Sequence, residues 1–210
     1  WPFPVPPCDR LIKPQWAIAL LTEMVKGEAI VVTGVGQHQM WAMQLYRAKR
    51  PRSFISSSGL GTMGFGLPAA MGAQVGCPDR LVVNIDGDGS FNMTAHELST
   101  LHRYNLPVKS VIMNNQYLGM VRQWQDLIYK GHRAESHLAD PCEAWTNADG
   151  SCVYPDFVTL ARAYGVQGAR VWEPSQLRQA YERMLASHGP YVLDVVVDPE
   201  EDVYPMIPAG

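Results

Sequence analysis

The sequence lacks several features that would settle its class at once. No apolar run approaches the roughly 20 residues needed to cross a bilayer, and residues 1–13 have neither the charged start nor the apolar middle of a signal peptide. There are no internal repeats and no low-complexity tract. Charge is sparse: 18% of residues are charged and the formal net charge is −3. Neither nucleic acid nor an anionic membrane is therefore expected as a partner. Cysteine is sparse as well. Cys8, Cys77, Cys142 and Cys152 form no CxxC pair and have no histidines at zinc spacing, so a zinc site is not expected. At this density they are read as free thiols; Cys142 and Cys152 flank a loop and could pair if it were oxidised, but pairing is not the expectation.

What remains is 210 residues with 47% hydrophobic content, enough for one well-packed α/β domain. Its centre is residues 81–115. Two short apolar, β-branched runs, 81–85 and 108–113, end respectively in Gly87-Asp88-Gly89-Ser90 and in Asn114-Asn115. Such runs fit strands buried on both faces of a parallel sheet. A helix over residues 94–104 would cross between them, with Thr94 and Glu97 at capping-box spacing. Ligands of open parallel sheets lie beyond the carboxyl ends of the strands, where Asp88 and Asn115 both emerge. A carboxylate and an amide with flanking glycines suit Mg²⁺ carrying a diphosphate better than they suit zinc.

Around this unit the spacing predicts a helix from Pro14 to about Lys26 stopped by Gly27, and strands at 29–33 and 53–56. Gly34-Val35-Gly36-Gln37-His38 either forms a plain strand-to-helix turn or offers unpaired N–H groups to an anion; it departs from the full GxGxxG fingerprint. The glycines of residues 57–66 imply close backbone contact before a helix at 67–75, and Met63 among them is either a core residue or a support for a bound cofactor. Residues 117–125 are amphipathic, so Met120 and Trp124 either wall a cleft or pack on the core. Residues 130–154 lose periodicity, and a loop of that length is mobile or functional. Helices at 156–164 and 175–187 and strands at 169–171 and 191–197 extend the same sheet. The expected fold is α/β: an open, mostly parallel six-stranded sheet with helices on both faces.

The segments GVGQHQMWAMQLY, SSGLGTMGFGLPAAMGAQ, GDGSFNMTAHELSTL, LPVKSVIMNN, LGMVRQWQ and YPMIPAG together carry a resemblance. GDGS followed after about 27 residues by NN resembles the thiamine diphosphate signature, and the whole chain is similar to the carboxyl-terminal domain of the acetolactate synthase (acetohydroxyacid synthase) catalytic subunit. Residues 1–14, with five prolines, read as a linker remnant, and the resemblance implies the thiamine-diphosphate-binding fold, with residues 15–210 the thiamine diphosphate and Mg²⁺ domain. It also implies amino-terminal and middle domains upstream, which would carry the catalytic glutamate and most contacts to a structural FAD, so that the chain alone would be an inactive fragment.

Residue by residue, the resemblance implies Mg²⁺ on Asp88, Asn115 and the main-chain carbonyl of Tyr117. The diphosphate would lie on Gln37, His38 and the N–H groups of Gly89 and Ser90. The aminopyrimidine would lie against Gly61 and Met63, with Met63 enforcing the cofactor's conformation. Gly119 and Met120 would also touch the cofactor, and Met120, Val121 and Trp124 would line the substrate channel. The implied reaction decarboxylates pyruvate and joins the hydroxyethyl unit to a second 2-ketoacid, in branched-chain amino-acid biosynthesis. A homodimer or higher oligomer and a regulatory small subunit are the implied partners. The alternatives are another enzyme of this cofactor class (pyruvate oxidase, glyoxylate carboligase or benzoylformate decarboxylase type) and a non-catalytic interaction module of the same fold. The compartment is left open.

Overall fold

The computed structural model describes residues 5–8, 10–139 and 154–206. Most of the long irregular loop, with Cys142 and Cys152, and the last residues of the YPMIPAG tail lie outside the described residues. Six strands form one sheet: β1 (Ile30–Thr33), β2 (Phe54–Ser56), β3 (Val82–Gly87), β4 (Lys109–Asn114), β5 (Gln167–Val171) and β6 (Tyr191–Val196). Their order is β2-β1-β3-β4-β6-β5, and every neighbouring pair is parallel. Every residue of β1, β3, β4 and β6 is buried, whereas the edge strands β2 and β5 are mostly half-buried. The buried strands are rich in apolar residues on both faces because both sides of the sheet are covered.

Alternation along the strands divides the core. Val31, Val83, Ile85, Val111 and Leu193 face helices α1 (Pro14–Val25), α2 (Gln37–Leu45) and α8 (Pro174–Ala186). Ile30, Val32, Val82, Ile112 and Val192 face α3 (Gly66–Gly76), α5 (Leu98–Arg103) and α7 (Phe157–Ala163). Each such fully buried side chain contributes about 1.5–3 kcal/mol relative to exposure. In the segment read as a linker, Ile12 is fully buried and bridges Val197, while Lys13 pairs with Asp198 and Glu201.

Two local expectations are corrected. The crossover is broken into α4 (Asp88–Asn92), a 3₁₀ turn at Ala95–Glu97 and α5. The Thr94–Glu97 capping box is not formed. Thr94 Oγ1 donates instead to the Gly64 carbonyl at 2.9 Å, and Glu97 accepts from Thr100. The glycine-rich loop thus takes the hydroxyl that a cap would have used. Likewise α2 starts at Gln37, so Gln37 and His38 are its first turn rather than the turn before it. Other element ends differ by a residue or two, as helix and strand ends commonly do.

The strand order locates the site. From β1 the chain crosses outward to the edge strand β2, and from β3 it crosses the other way to β4. Between β1 and β3 the connections diverge, which opens a crevice at their carboxyl ends.

Candidate functional site

The crevice is a cleft open on one side to solvent. Four segments build it: the β1–α2 turn, the glycine-rich loop before α3 that carries Met63, the start of α4 after β3, and the segment from β4 into α6 (Gly119–Ile128). Of the residues singled out in the sequence, Gln37, His38, Met63, Asp88, Gly89 and Ser90 line it from one side. Asn115, Tyr117, Gly119, Met120 and Val121 line the other. Gly61 and Trp124 are not among the lining residues; Gly61 is exposed at φ +66°, and Trp124 is half-buried on α6.

Beneath the first wall lies a buried carboxylate that the sequence reading passed over. Asp86 is fully buried and takes bonds from the Gly87 N–H at 3.0 Å and Asn84 Nδ2 at 3.3 Å. Burial pushes it up to about 6, against the hydrogen bonds from Ser90, Asn84 and Gly87. The Ser90 hydroxyl therefore donates down to Asp86 while accepting from Gly64 N at 3.1 Å and Val35 N at 3.4 Å. Its side chain ties three loops together, leaving its backbone N–H as the group available to a ligand. A side chain at Gly34 would place Cβ 1.8 Å from Asp86 Oδ1, so this turn requires glycine for close approach.

His38 Nε2 lies 3.5 Å from Asp86 Oδ1 but has no hydrogen-bond partner among the described residues. Burial drives the imidazole down to about 3. It is neutral at neutral pH, and the contact is not an ion pair. Asp88 is 3% exposed; its Oδ1 accepts from the Gly89 N–H at 3.0 Å, and its buried Oδ2 has no partner among the described residues. Burial pushes this carboxyl up to about 7.

The opposite wall turns at Gln116, which is fully buried at φ +58°. Asn115 Oδ1 accepts from Tyr117 N at 3.1 Å, and Asn115 Nδ2 donates to Gln37 Oε1 at 3.4 Å. Gln37 Nε2 is committed to Gln123 Oε1 at 2.9 Å and the Glu201 carbonyl at 3.2 Å. Gln123 in turn clasps Val203 through both main-chain groups. Arg122, 1% exposed, holds Asp202 at 2.7 Å, Glu200 at 3.3 Å and the Glu201 carbonyl at 2.8 Å. The carboxyl-terminal segment is thereby zipped along α6, behind the cleft. Glutamines and an arginine about 80 positions from their partners carry no sequence signal for this, and only the fold brings them together.

Among the described residues no group of three or more His, Cys, Asp or Glu side chains converges as a metal site. The groups that line the cleft include the Asp88 carboxylate, the Asn115 amide and main-chain carbonyls, hard oxygen donors of the kind that suit Mg²⁺.

Residues 34–195 match the family model described as thiamine pyrophosphate enzyme, C-terminal TPP binding domain. The chain is 54% identical over 200 residues to acetolactate synthase 1, chloroplastic, of Oryza sativa subsp. japonica, covering 95% of this chain and 30% of the relative. It is 52% identical over 199 residues to acetolactate synthase, chloroplastic, of Arabidopsis thaliana, covering 95% of this chain and 29% of the relative. The chain thus spans about 30% of the length of these curated relatives. Among solved structures, the Rhodococcus jostii RHA1 thiamine diphosphate-dependent 4-hydroxybenzoylformate decarboxylase is similar with a TM-score of 0.80 and 26% identity, over 95% of this chain and 35% of that one. Cleft, topology and sequence agree: the chain belongs to the family of thiamine pyrophosphate enzyme carboxyl-terminal TPP-binding domains.

Proposed function

We propose that the cleft holds Mg²⁺ together with thiamine diphosphate, as the cofactor site of an acetolactate synthase. The observation that supports this reading is the buried, unpartnered Oδ2 of Asp88 in the cleft that Asn115 and Tyr117 also line. A buried carboxylate is costly unless a cation meets it. In this reading Asp88, Asn115 and the Tyr117 main-chain carbonyl hold Mg²⁺. His38 and Gln37, with the N–H groups of Gly89 and Ser90, face the diphosphate. The neutral imidazole contributes a hydrogen bond without a fixed charge. Met63, Gly119 and Met120 contact the rest of the cofactor, and the apolar groups of Leu118, Met120 and Val121 keep water from it. Trp124 stands further along α6, beside the substrate path. When bound, thiamine diphosphate supplies the electron sink for losing CO₂ from a 2-ketoacid.

The substrates in this reading are pyruvate and a second 2-ketoacid, and the pathway is that of branched-chain amino acids. The resemblance further assigns a dimeric assembly, an FAD held mainly by another domain, and a possible regulatory small subunit. A second reading, simple decarboxylation, is favoured by the likeness to the decarboxylase structure. Product analysis of the native protein with pyruvate, Mg²⁺ and thiamine diphosphate separates them: acetolactate supports the first, and acetaldehyde without acetolactate replaces it with the second.

A further inference from the structure

The wall that carries Asn115 is held from behind by a chain of polar groups that the cofactor reading does not use. Asp194, in the middle of β6, is fully buried. Its Oδ2 accepts from Arg170 Nε on β5 at 2.8 Å, and its Oδ1 accepts from Asn114 Nδ2 on β4 at 3.0 Å. That commits the Asn114 amide to one orientation, with its oxygen pointing away from Asp194. This oxygen accepts twice from the next turn, from Gln116 Nε2 at 2.7 Å and Gln116 N at 3.3 Å. Gln116 Oε1 then accepts from Tyr154 N at 3.0 Å. Arg170 also reaches Asp156, the residue that caps α7, at 2.8 Å.

We infer that Asp194, acting through Asn114, is a positioning residue for the metal site. The relay Asp194–Asn114–Gln116 locks the left-handed turn at Gln116, and that turn presents the Asn115 amide and the Tyr117 carbonyl to the cation held by Asp88. The inference rests on the Mg²⁺–thiamine diphosphate reading. Two links support it. A non-glycine residue at φ +58° is disfavoured unless its surroundings hold it. Gln116 is held by its own main-chain and side-chain N–H groups on one acceptor. The relay begins at Asp194 on β6 and Arg170 on β5, so it ties the geometry of the donors to the two strands that lie beyond β4 in the sheet.

Hydrogen-bond polarity makes the relay testable. In Asp194→Asn, the new amide nitrogen faces Asn114 Nδ2 or Arg170 Nε, two donors in either case. The Asn114 amide escapes only by flipping, and flipping turns its own NH₂ toward the two Gln116 donors. The added change Asn114→Asp repairs this, because a carboxylate at position 114 accepts from the amide at position 194 on one side and from Gln116 on the other. Mg²⁺ affinity is read by titration calorimetry of the native protein at saturating thiamine diphosphate, with the thermal midpoint without cofactor as the check on folding. Loss of groups that orient metal ligands typically costs about 10–100-fold in metal affinity. D194N is expected to lose affinity in that range and D194N/N114D to regain most of it. Arg178→Ala, which removes an exposed pair with Glu23, is expected to leave it unchanged. Should D194N fail to fold, Gln116→Met removes the last link without stranding a buried charge and is expected to show the same loss. A folded D194N or Q116M that binds Mg²⁺ as wild type does, or a double variant no tighter than D194N, overturns the relay. A wild-type protein that binds no Mg²⁺ with thiamine diphosphate overturns the cofactor reading instead.

Discussion

Gly119→Ala sets two effects against each other at the mouth of the cleft. Gly119 opens α6, and by helix propensity alone alanine would be favoured over glycine by up to about 1 kcal/mol. The geometry opposes this. A Cβ at 119 would lie 2.0 Å from Gln37 Oε1 and 2.7 Å from Asn115 Nδ2. A flexible amide could swing away, but this one is buried and pinned by Gln123 and the Glu201 carbonyl. Moving it breaks two or three hydrogen bonds at about 0.5–1.5 kcal/mol each, and packing strain adds about 1–3 kcal/mol. Packing therefore wins by about 1–6.5 kcal/mol. At about 2–4 °C per kcal/mol for a domain of this size, the thermal midpoint falls by roughly 2–26 °C in differential scanning calorimetry. A midpoint that rises would refute the pinned-amide argument and leave propensity in charge.

Two further outcomes test the packing and the electrostatics. Phe91 is fully buried and meets Phe157 edge to face at 5.7 Å, so Phe91→Ala is expected to cost about 3–5 kcal/mol in denaturant unfolding; a loss under about 1 kcal/mol would mean that α4 is not anchored through this ring. Lys109 is 2% exposed and donates to the Ser187 carbonyl and hydroxyl and to the Gly189 carbonyl. Burial brings its pKa down to about 8, so between that value and the ordinary value of 10.5 the unfolded chain binds the extra proton. Wild-type stability relative to Lys109→Met should therefore rise by up to about 3 kcal/mol as pH climbs from about 8 to about 10.5. A flat difference across that window would show that the three acceptors fully offset burial.

The strands were legible because the sheet is covered on both faces, which concentrates β-branched and other apolar residues in β1, β3, β4 and β6. Asp88 and Asn115 were legible for a related reason: each stands just past such a strand, and parallel strands bring their carboxyl ends to one crevice. What the sequence hid is polar and long-range. Asp86 and Asp194 interrupt apolar strands as isolated acids, and their partners, Ser90 for one and Arg170 with Asn114 for the other, are known only once strands and loops are placed. The crossover helix misread at Thr94 has the same origin, since its hydroxyl answers to Gly64, 30 positions earlier. Trp124 shows the converse: an amphipathic pattern identifies a helix without saying how far along it the cleft extends.

The central claim is that Asp88 anchors Mg²⁺ and, through it, thiamine diphosphate. Titration calorimetry of the native protein with thiamine diphosphate, with and without Mg²⁺, for wild type and Asp88→Ala, tests it most directly. The account predicts binding by wild type that requires Mg²⁺, and no Mg²⁺-dependent binding by a D88A protein whose thermal midpoint without metal is not lowered. Mg²⁺-dependent binding that survives in D88A would contradict it.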